Sequence, residues 1–121
     1  MNQNVRVIGE KMDFRRILCS ELKKYNDVII YGYADIGQCV LNYIIEFETS
    51  IKIANYSGRV KYFAHSNKKE SARVEKRGIP IRRIWDLQEY AKKALVIVAT
   101  QEQHHKDISS VLDELGFENR I

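Results

Sequence analysis

Residues 28–37 read VIIYGYADIG, and this stretch decides the fold. Its first four residues form a short apolar run without alternation, which predicts a strand covered on both faces, as in a parallel sheet. Gly32 ends the strand. Apolar residues then recur at helical spacing: Ile36, Val40, Leu41, Ile44 and Ile45. The stretch therefore predicts a strand, a glycine turn and an amphipathic helix that ends near Glu48 or runs on toward Tyr56.

Strands and helices alternate along the rest of the chain. Further strands are predicted at Val60–Ala64, Gly78–Ile81 and Leu95–Thr100, and a final strand is predicted to begin within Phe117–Ile121. Helices are predicted from Asp13 to Lys24, from Asp86 to Lys93, and over Ile108, Val111, Leu112 and Leu115 up to Gly116. The basic segment from Ser66 to Arg77 has some helical character. Pro80 predicts an edge or strand-start position for its strand.

Alternation of strands with helices implies right-handed crossovers and a mainly parallel sheet. We therefore expect an α/β fold, a three-layer Rossmann-like domain with helices on both faces of the sheet. The domain is predicted to span residues 13–121, after a flexible arm at residues 1–12. A chain of 121 residues has the size of one domain, and the sequence leaves open whether it is a fragment of a longer protein.

Composition narrows the class of protein. The sequence contains no run of 18 apolar residues and no signal peptide, so we expect a cytoplasmic protein without a membrane span. Cys19 and Cys39 lack metal-ligand spacing and are predicted to be buried free thiols. The net charge is +4, and basic residues cluster at Lys68, Lys69, Arg73, Lys76, Arg77, Arg82 and Arg83. Without interleaved aromatic residues, this cluster is interpreted as a solvated face, and nucleic acid is not an expected partner.

The glycine turn is the main functional signal. A dinucleotide-binding turn needs three small residues, for the tight turn, the approach of the pyrophosphate, and close packing of helix on strand. Gly32, Ala34 and Gly37 occupy these positions, and the helix N-terminus offers N–H groups to phosphates. The cofactor-binding prediction covers the whole turn, namely Gly32, Tyr33, Ala34, Asp35, Ile36 and Gly37. The alternative is a glycine turn that serves packing alone.

The ends of two other predicted strands lie beside this turn, because ligands bind beyond the carboxyl ends of parallel strands. His65 and Ser66 end the second strand, where a typical NAD site has an acidic residue. The lack of an acidic residue disfavours a standard NAD site and suits NADP or a nucleoside diphosphate. The alternative for His65 is a solvent-exposed residue at the strand end that contacts no ligand. Thr100 and Gln101 are predicted to contact a sugar or base, and capping of the next helix by Thr100 is the alternative.

Short motifs stand at regular places along the chain: residues 28–32 with Gly37, residues 62–66, 78–81, 96–100 and 115–117. Together they resemble a Rossmann-like module of bacterial surface-polysaccharide biosynthesis, over Asp27 to Ile121. Similar modules occur in nucleoside-diphosphate-sugar dehydratase and epimerase proteins, in sugar acyltransferases, and attached to glycosyltransferases. The resemblance implies a nucleotide or nucleotide-sugar binding module, with NAD(P) or a nucleoside-diphosphate sugar as the ligand. We expect the module to belong to a larger glycan-synthesis protein or, if it serves as an interaction module, to a homo-oligomer.

The sequence contains no convincing catalytic apparatus. No Tyr is followed four residues later by Lys, and no Gly-x-Ser-x-Gly elbow or Walker loop is present. His104 and His105 are adjacent and point apart on a helix, so no metal site is predicted. We therefore expect a domain that is not catalytic in isolation. Two alternatives remain open: a small NAD(P)-dependent sugar-nucleotide oxidoreductase or dehydratase, and an interaction module whose crevice is vestigial.

Overall fold

A computed structural model describes residues 14, 16–48, 58–67 and 74–121. The predicted arm, the start of the first helix at Asp13, and the basic residues Lys68, Lys69 and Arg73 lie outside the described residues. Residues 49–57 also lie outside the described residues, and with them the predicted alternative in which the helix after the glycine turn runs on toward Tyr56. Within the described parts, no helix combines the length and the apolar character needed to cross a membrane.

The sheet has five strands. They are β1 (Val28–Tyr31), β2 (Val60–His65), β3 (Glu75–Lys76), β4 (Ile79–Arg83) and β5 (Leu95–Val98), and they lie in the order β3-β4-β2-β1-β5. Every neighbouring pair is parallel except the short β3 with β4. The expected mainly parallel α/β sheet is therefore confirmed.

Helices precede β1 and follow β1, β4 and β5. Residues 14 and 16–22 are helical and belong to α1; α2 spans Asp35–Glu48 and α3 spans His105–Leu115. The helix predicted at Asp86–Lys93 is instead a 3₁₀ helix over Ile84–Tyr90, a tighter form suited to so short a connection. A second 3₁₀ turn, Glu102–His104, precedes α3. Gly116 closes α3 at φ 82°, as predicted, with its N–H bonded to the Asp113 carbonyl.

The core forms two clusters that divide the residues of β1 between them. Val28 and Ile30 belong to one cluster, which includes apolar residues of α1 and α2. Ile29 and Tyr31 belong to the other, which includes apolar residues of the first 3₁₀ helix and of α3. Because successive strand residues point to opposite faces, both faces of β1 are covered, as its continuous apolar sequence predicts.

The segment before β4 is a hairpin, so the helical character predicted for Ser66–Arg77 is wrong where the structure describes it. Arg77 has φ 55° and Gly78 has φ 82°, and two consecutive positive values are typical of the type I′ turn that joins antiparallel strands. Pro80 lies at the start of β4, before the pairing with β2 begins at Ile81. Its strand-start position is confirmed, whereas β3 occupies the edge.

Two further predictions can be compared with the structure. Residues 119–121 continue the sheet beside β5: Val96 forms a parallel bridge with Arg120, and its N–H donates to the Asn119 carbonyl at 2.9 Å. This agrees with the strand predicted to begin there. Cys19 and Cys39 are free thiols, but both are exposed, so the prediction that they are buried is wrong. They lie beside the buried positions Leu18 and Val40 and therefore on the outer side of their helices.

Candidate functional site

A cleft of about 650 Å³ opens at the carboxyl ends of β1, β2 and β5. Its walls are the glycine turn before α2, the last residues of β2, the end of β5 and the first turns of α3. The predicted site residues that line it are Gly32, Tyr33, Ala34, Asp35, Ile36, His65, Ser66, Thr100 and Gln101. Gly37 lies outside the lining. The structure therefore brings the separate predicted segments together around a single cavity.

Both glycines of the turn are required by packing. Gly32 has φ +110°, and a Cβ built on it would lie 2.5 Å from the Ala99 carbonyl oxygen, at the end of β5. A Cβ on Gly37 would lie 2.1 Å from the Gly32 carbonyl oxygen. Gly37 thus fills the role predicted for the third small residue, the close packing of helix on strand. Close packing within the protein accounts for both glycines without a ligand.

Ala34 is the exposed member of the three small residues and occupies the N-cap of α2. Its carbonyl accepts the Gln38 N–H at 3.0 Å, and the helix begins at the next residue, Asp35. The N–H groups of the first helical turn have no partner within the helix, and the helix dipole adds partial positive charge there. The turn therefore presents backbone donors at the cleft, beside the exposed Asp35 carboxylate.

The Tyr33 carbonyl of the turn accepts hydrogen bonds from two side chains. Gln38 Nε2 lies 3.2 Å from this oxygen, and Lys76 Nζ, from β3, lies 3.0 Å from it. The Lys76 contact was missed in the sequence because 43 positions separate the two residues, and no local pattern signals it.

His65 is buried at the end of β2, with 7% of its surface exposed, so its interpretation as a solvent-exposed histidine is wrong. Its Nδ1 accepts the Asn67 N–H at 3.1 Å, which requires that nitrogen to be unprotonated. The ring meets Tyr33 edge-on, with centroids 6.2 Å apart. Burial lowers the pKa of His65, and the positive charge of Arg83 lowers it further, against a smaller opposing effect of Asp86. The imidazole therefore favours its neutral form and holds the turn that borders the cleft.

Tyr31 also lines the cleft, although sequence reasoning assigned it only to the strand. Its hydroxyl is buried and has no hydrogen-bond partner of standard geometry among the described residues. Burial raises the pKa of the Tyr31 phenol, and an interaction with the Ser66 side chain opposes that rise. The Tyr31 hydroxyl is therefore a buried polar group of a residue that lines the cleft, close to Ser66.

The end of β5 contributes polar groups to the opposite wall. The Thr100 carbonyl lies 2.9 Å from His105 Nε2, and the Thr100 hydroxyl makes a long 3.5 Å contact with the Gln101 carbonyl. The N-cap of the following 3₁₀ helix is Gln101, and no side chain caps it, so the capping role considered for Thr100 is wrong. The Thr100 and Gln101 side chains lie at the cleft instead.

Two of the described side chains that line the cleft carry carboxyl groups. Asp35 comes from the first turn of α2 and Asp107 from the first turn of α3, whereas no Lys or Arg of the described residues lines it. Backbone N–H groups, rather than cationic side chains, therefore offer the binding sites for an anion. No three His, Cys, Asp or Glu side chains within the described ranges are grouped to hold a metal ion.

Asp107 and His104 were not predicted to belong to the site. His104 ends the 3₁₀ turn after β5 and Asp107 lies in the first turn of α3, and their signal was that this connection must begin at the same edge of the sheet. Comparisons of the chain with protein-family models, with curated proteins and with solved structures find no match.

Proposed function

We propose that this chain is a Rossmann-like nucleotide-binding module whose ligand lies in the cleft. The strand order supports the fold: β4, β2, β1 and β5 are the third, second, first and fourth parallel strands, and residues 119–121 extend the sheet beside β5. This order agrees with the 3-2-1-4-5 part of a dinucleotide-binding sheet and supports the proposed three-layer fold with helices on both faces.

The observation that carries the proposal is the position of the cleft. The strand order reverses between β1 and β5, and ligands of open α/β sheets bind outside the strand ends at such a point. The 650 Å³ cleft lies there and falls within the size range of small-molecule sites. It contains the N-terminus of α2, which binds phosphate groups in such folds.

The lining indicates which part of a ligand would lie where. A phosphate group fits the backbone donors at Ala34–Gly37, the region in which α2 begins. The Asp107 carboxylate and the polar side chains of Thr100 and Gln101 suit hydroxyl groups, such as those of a ribose or another sugar. These groups and the resemblance of the sequence to modules of surface-polysaccharide biosynthesis support a nucleotide or nucleotide sugar as the ligand. The proposed role of binding is in cell-surface glycan synthesis, without catalysis by this chain.

A second candidate is an interaction module with a vestigial crevice. It is favoured by the finding that Gly32 and Gly37 are both explained by internal contacts, which leaves neither as independent support for a ligand. The two candidates differ in whether any nucleotide binds.

A ligand screen tests the proposal. Thermal unfolding is measured with NAD, NADP, UDP, UDP-sugars, CDP and coenzyme A, and amide NMR shifts are recorded for any ligand that stabilises the protein. A specific ligand at about one hundred times its dissociation constant adds about 2.7 kcal/mol of stability. The expected result is stabilisation by one ligand class, with shifts concentrated at the cleft residues. Stabilisation by none, or shifts elsewhere, would favour the interaction module.

A further inference from the structure

Lys76 and Gln38 hold a single carbonyl group of the glycine turn. The Lys76 ammonium donates to the Tyr33 oxygen at 3.0 Å in a partly buried contact, and the Gln38 amide donates to the same oxygen at 3.2 Å. One donor belongs to β3 and the other to α2, so elements far apart in the sequence converge on one peptide group. The function described so far gives this contact no role.

Fixing this carbonyl fixes the direction of the next N–H group. No peptide bond of the described residues is cis, so the Ala34 N–H points opposite to the Tyr33 carbonyl. Tyr33 and Ala34 line the cleft, whereas Lys76 and Gln38 do not. Both donors therefore belong to residues outside the cleft lining, whereas the peptide that they hold belongs to it.

The Ala34 N–H is available for a ligand. Among the described residues no backbone carbonyl accepts a hydrogen bond from it. The buried Tyr31 hydroxyl, which also lacks a partner of standard geometry there, is an independent polar group lining the same cleft. Donors of this kind are able to bind an anionic oxygen, and they do so beside the carboxylates of Asp35 and Asp107.

We propose that Lys76 and Gln38 are positioning residues for phosphate binding: they hold the Tyr33–Ala34 peptide with its N–H toward the cleft, where it binds a phosphate oxygen of the ligand. This inference rests on the proposed function. If the two donors are removed, the peptide is able to rotate, and its carbonyl then turns toward the anion and repels it. Lys76 also places a positive charge next to the turn, although its side chain does not line the cleft.

The same hairpin offers a matched control. Arg77 Nη1 donates to the Asn42 side-chain oxygen at 2.8 Å, which ties the turn between β3 and β4 to the middle of α2. Asn42→Ala removes this connection between the hairpin and the helix without altering the Tyr33 carbonyl contacts. It therefore separates general loosening of the hairpin from loss of the positioned peptide.

The test is an amide NMR titration with inorganic pyrophosphate, following Ala34 and its neighbours in the wild type and four variants. We expect Lys76→Met and Gln38→Met each to weaken pyrophosphate binding at least about fivefold, because each removes support for a hydrogen bond to a charged group. Lys76→Arg is expected to restore most of the affinity, and Asn42→Ala to retain it. Gln38→Met changes no charge, so its effect cannot come from lost attraction between Lys76 and the anion.

The ligand-free spectra add a second readout. In Lys76→Met and Gln38→Met the Ala34 amide signal is expected to shift or broaden as the peptide samples a second orientation, whereas in Asn42→Ala it is expected to stay unchanged. Wild-type affinity in both Met variants would overturn the positioning role and leave the proposed function standing. If pyrophosphate does not bind the wild type although a nucleotide does in the screen, the inference also fails alone. The proposed function itself is refuted by the screen, if no nucleotide binds or if the shifts lie away from the cleft.

Discussion

A Cβ placed on Gly37 would lie 2.1 Å from the carbonyl oxygen of Gly32, so the first turn of α2 packs directly against the backbone that leaves β1. This contact fixes where the helix N-terminus stands relative to the strand ends. It therefore also determines the shape of the cleft, although Gly37 itself does not line it.

Gly37→Ala is expected to destabilise the protein by about 3 kcal/mol or more, because backbone atoms must move to admit the methyl group. In an ordinary helix the same substitution stabilises by roughly 1 kcal/mol, so the sign is diagnostic. Urea unfolding followed by circular dichroism measures the change. Gly116→Ala is the control, because nothing lies within 4 Å of a Cβ built on Gly116. Only the backbone φ of +82° makes this substitution unfavourable, by roughly 1 to 2 kcal/mol. A neutral or stabilising Gly37→Ala would contradict the packing described.

Ala34→Asn and Ala34→Asp are both expected to stabilise the ligand-free protein by about 1 kcal/mol. Either side chain accepts a hydrogen bond from the first-turn N–H groups of α2 that Ala34, as N-cap, leaves unsatisfied. Thermal unfolding without ligand measures the gain. An unchanged or lowered melting temperature in both variants would mean that residue 34 does not occupy the N-cap position of α2.

His65 makes the stability of the fold depend on pH. Its pKa in the folded state lies below the ordinary 6.5, so the unfolded chain binds the proton more readily. The free energy of unfolding therefore falls as pH drops through about 6.5 toward the lower folded pKa, and the contribution is fully present above about pH 7. Protonation also removes Nδ1 as the acceptor for the Asn67 N–H.

The measurement is unfolding at several pH values between about 5 and 7.5. We expect His65→Asn, which keeps an acceptor near the position of Nδ1, to show a shallower loss of stability on acidification than the wild type. His104→Asn, at an exposed histidine, is the control and should follow the wild-type curve. Equal slopes in all three proteins would contradict a neutral, buried His65.

Both thiols are expected to react in the folded protein. Cys19 and Cys39 are free and exposed, so a thiol reagent should modify two groups per chain without denaturant. Cys19→Ser and Cys39→Ser, each with one thiol left, assign the two reactions. A thiol that reacts only after unfolding would show that its helix packs differently from the structure.

Much of the fold could be predicted because its signals are local. The apolar run of β1, the spacing of Ile36 to Ile45 and the role of Gly116 each depend on neighbours in the sequence. The ends of β1, β2 and β5 could be brought to one site by a rule of parallel sheets, which is why Gly32, His65 and Thr100 are found around one cleft.

The remaining features depend on distant contacts. The buried His65 ring meets the distant Tyr33 ring edge-on, and the contact of Lys76 with Tyr33 spans 43 positions. The hairpin before β4 was missed because Arg77 adopts a positive φ that its residue type rarely favours, so its turn signal rested on Gly78 alone.

The most direct test of a nucleotide site in the cleft is calorimetric titration of the ligand found in the screen into Ala34→Asp and Ala34→Asn. The two substituted side chains have the same shape and both cap α2, but only Ala34→Asp adds negative charge at the proposed phosphate position. We expect Ala34→Asp to bind at least about tenfold more weakly than Ala34→Asn, which corresponds to about 1.4 kcal/mol. Equal affinities in the two variants would contradict phosphate binding at the N-terminus of α2.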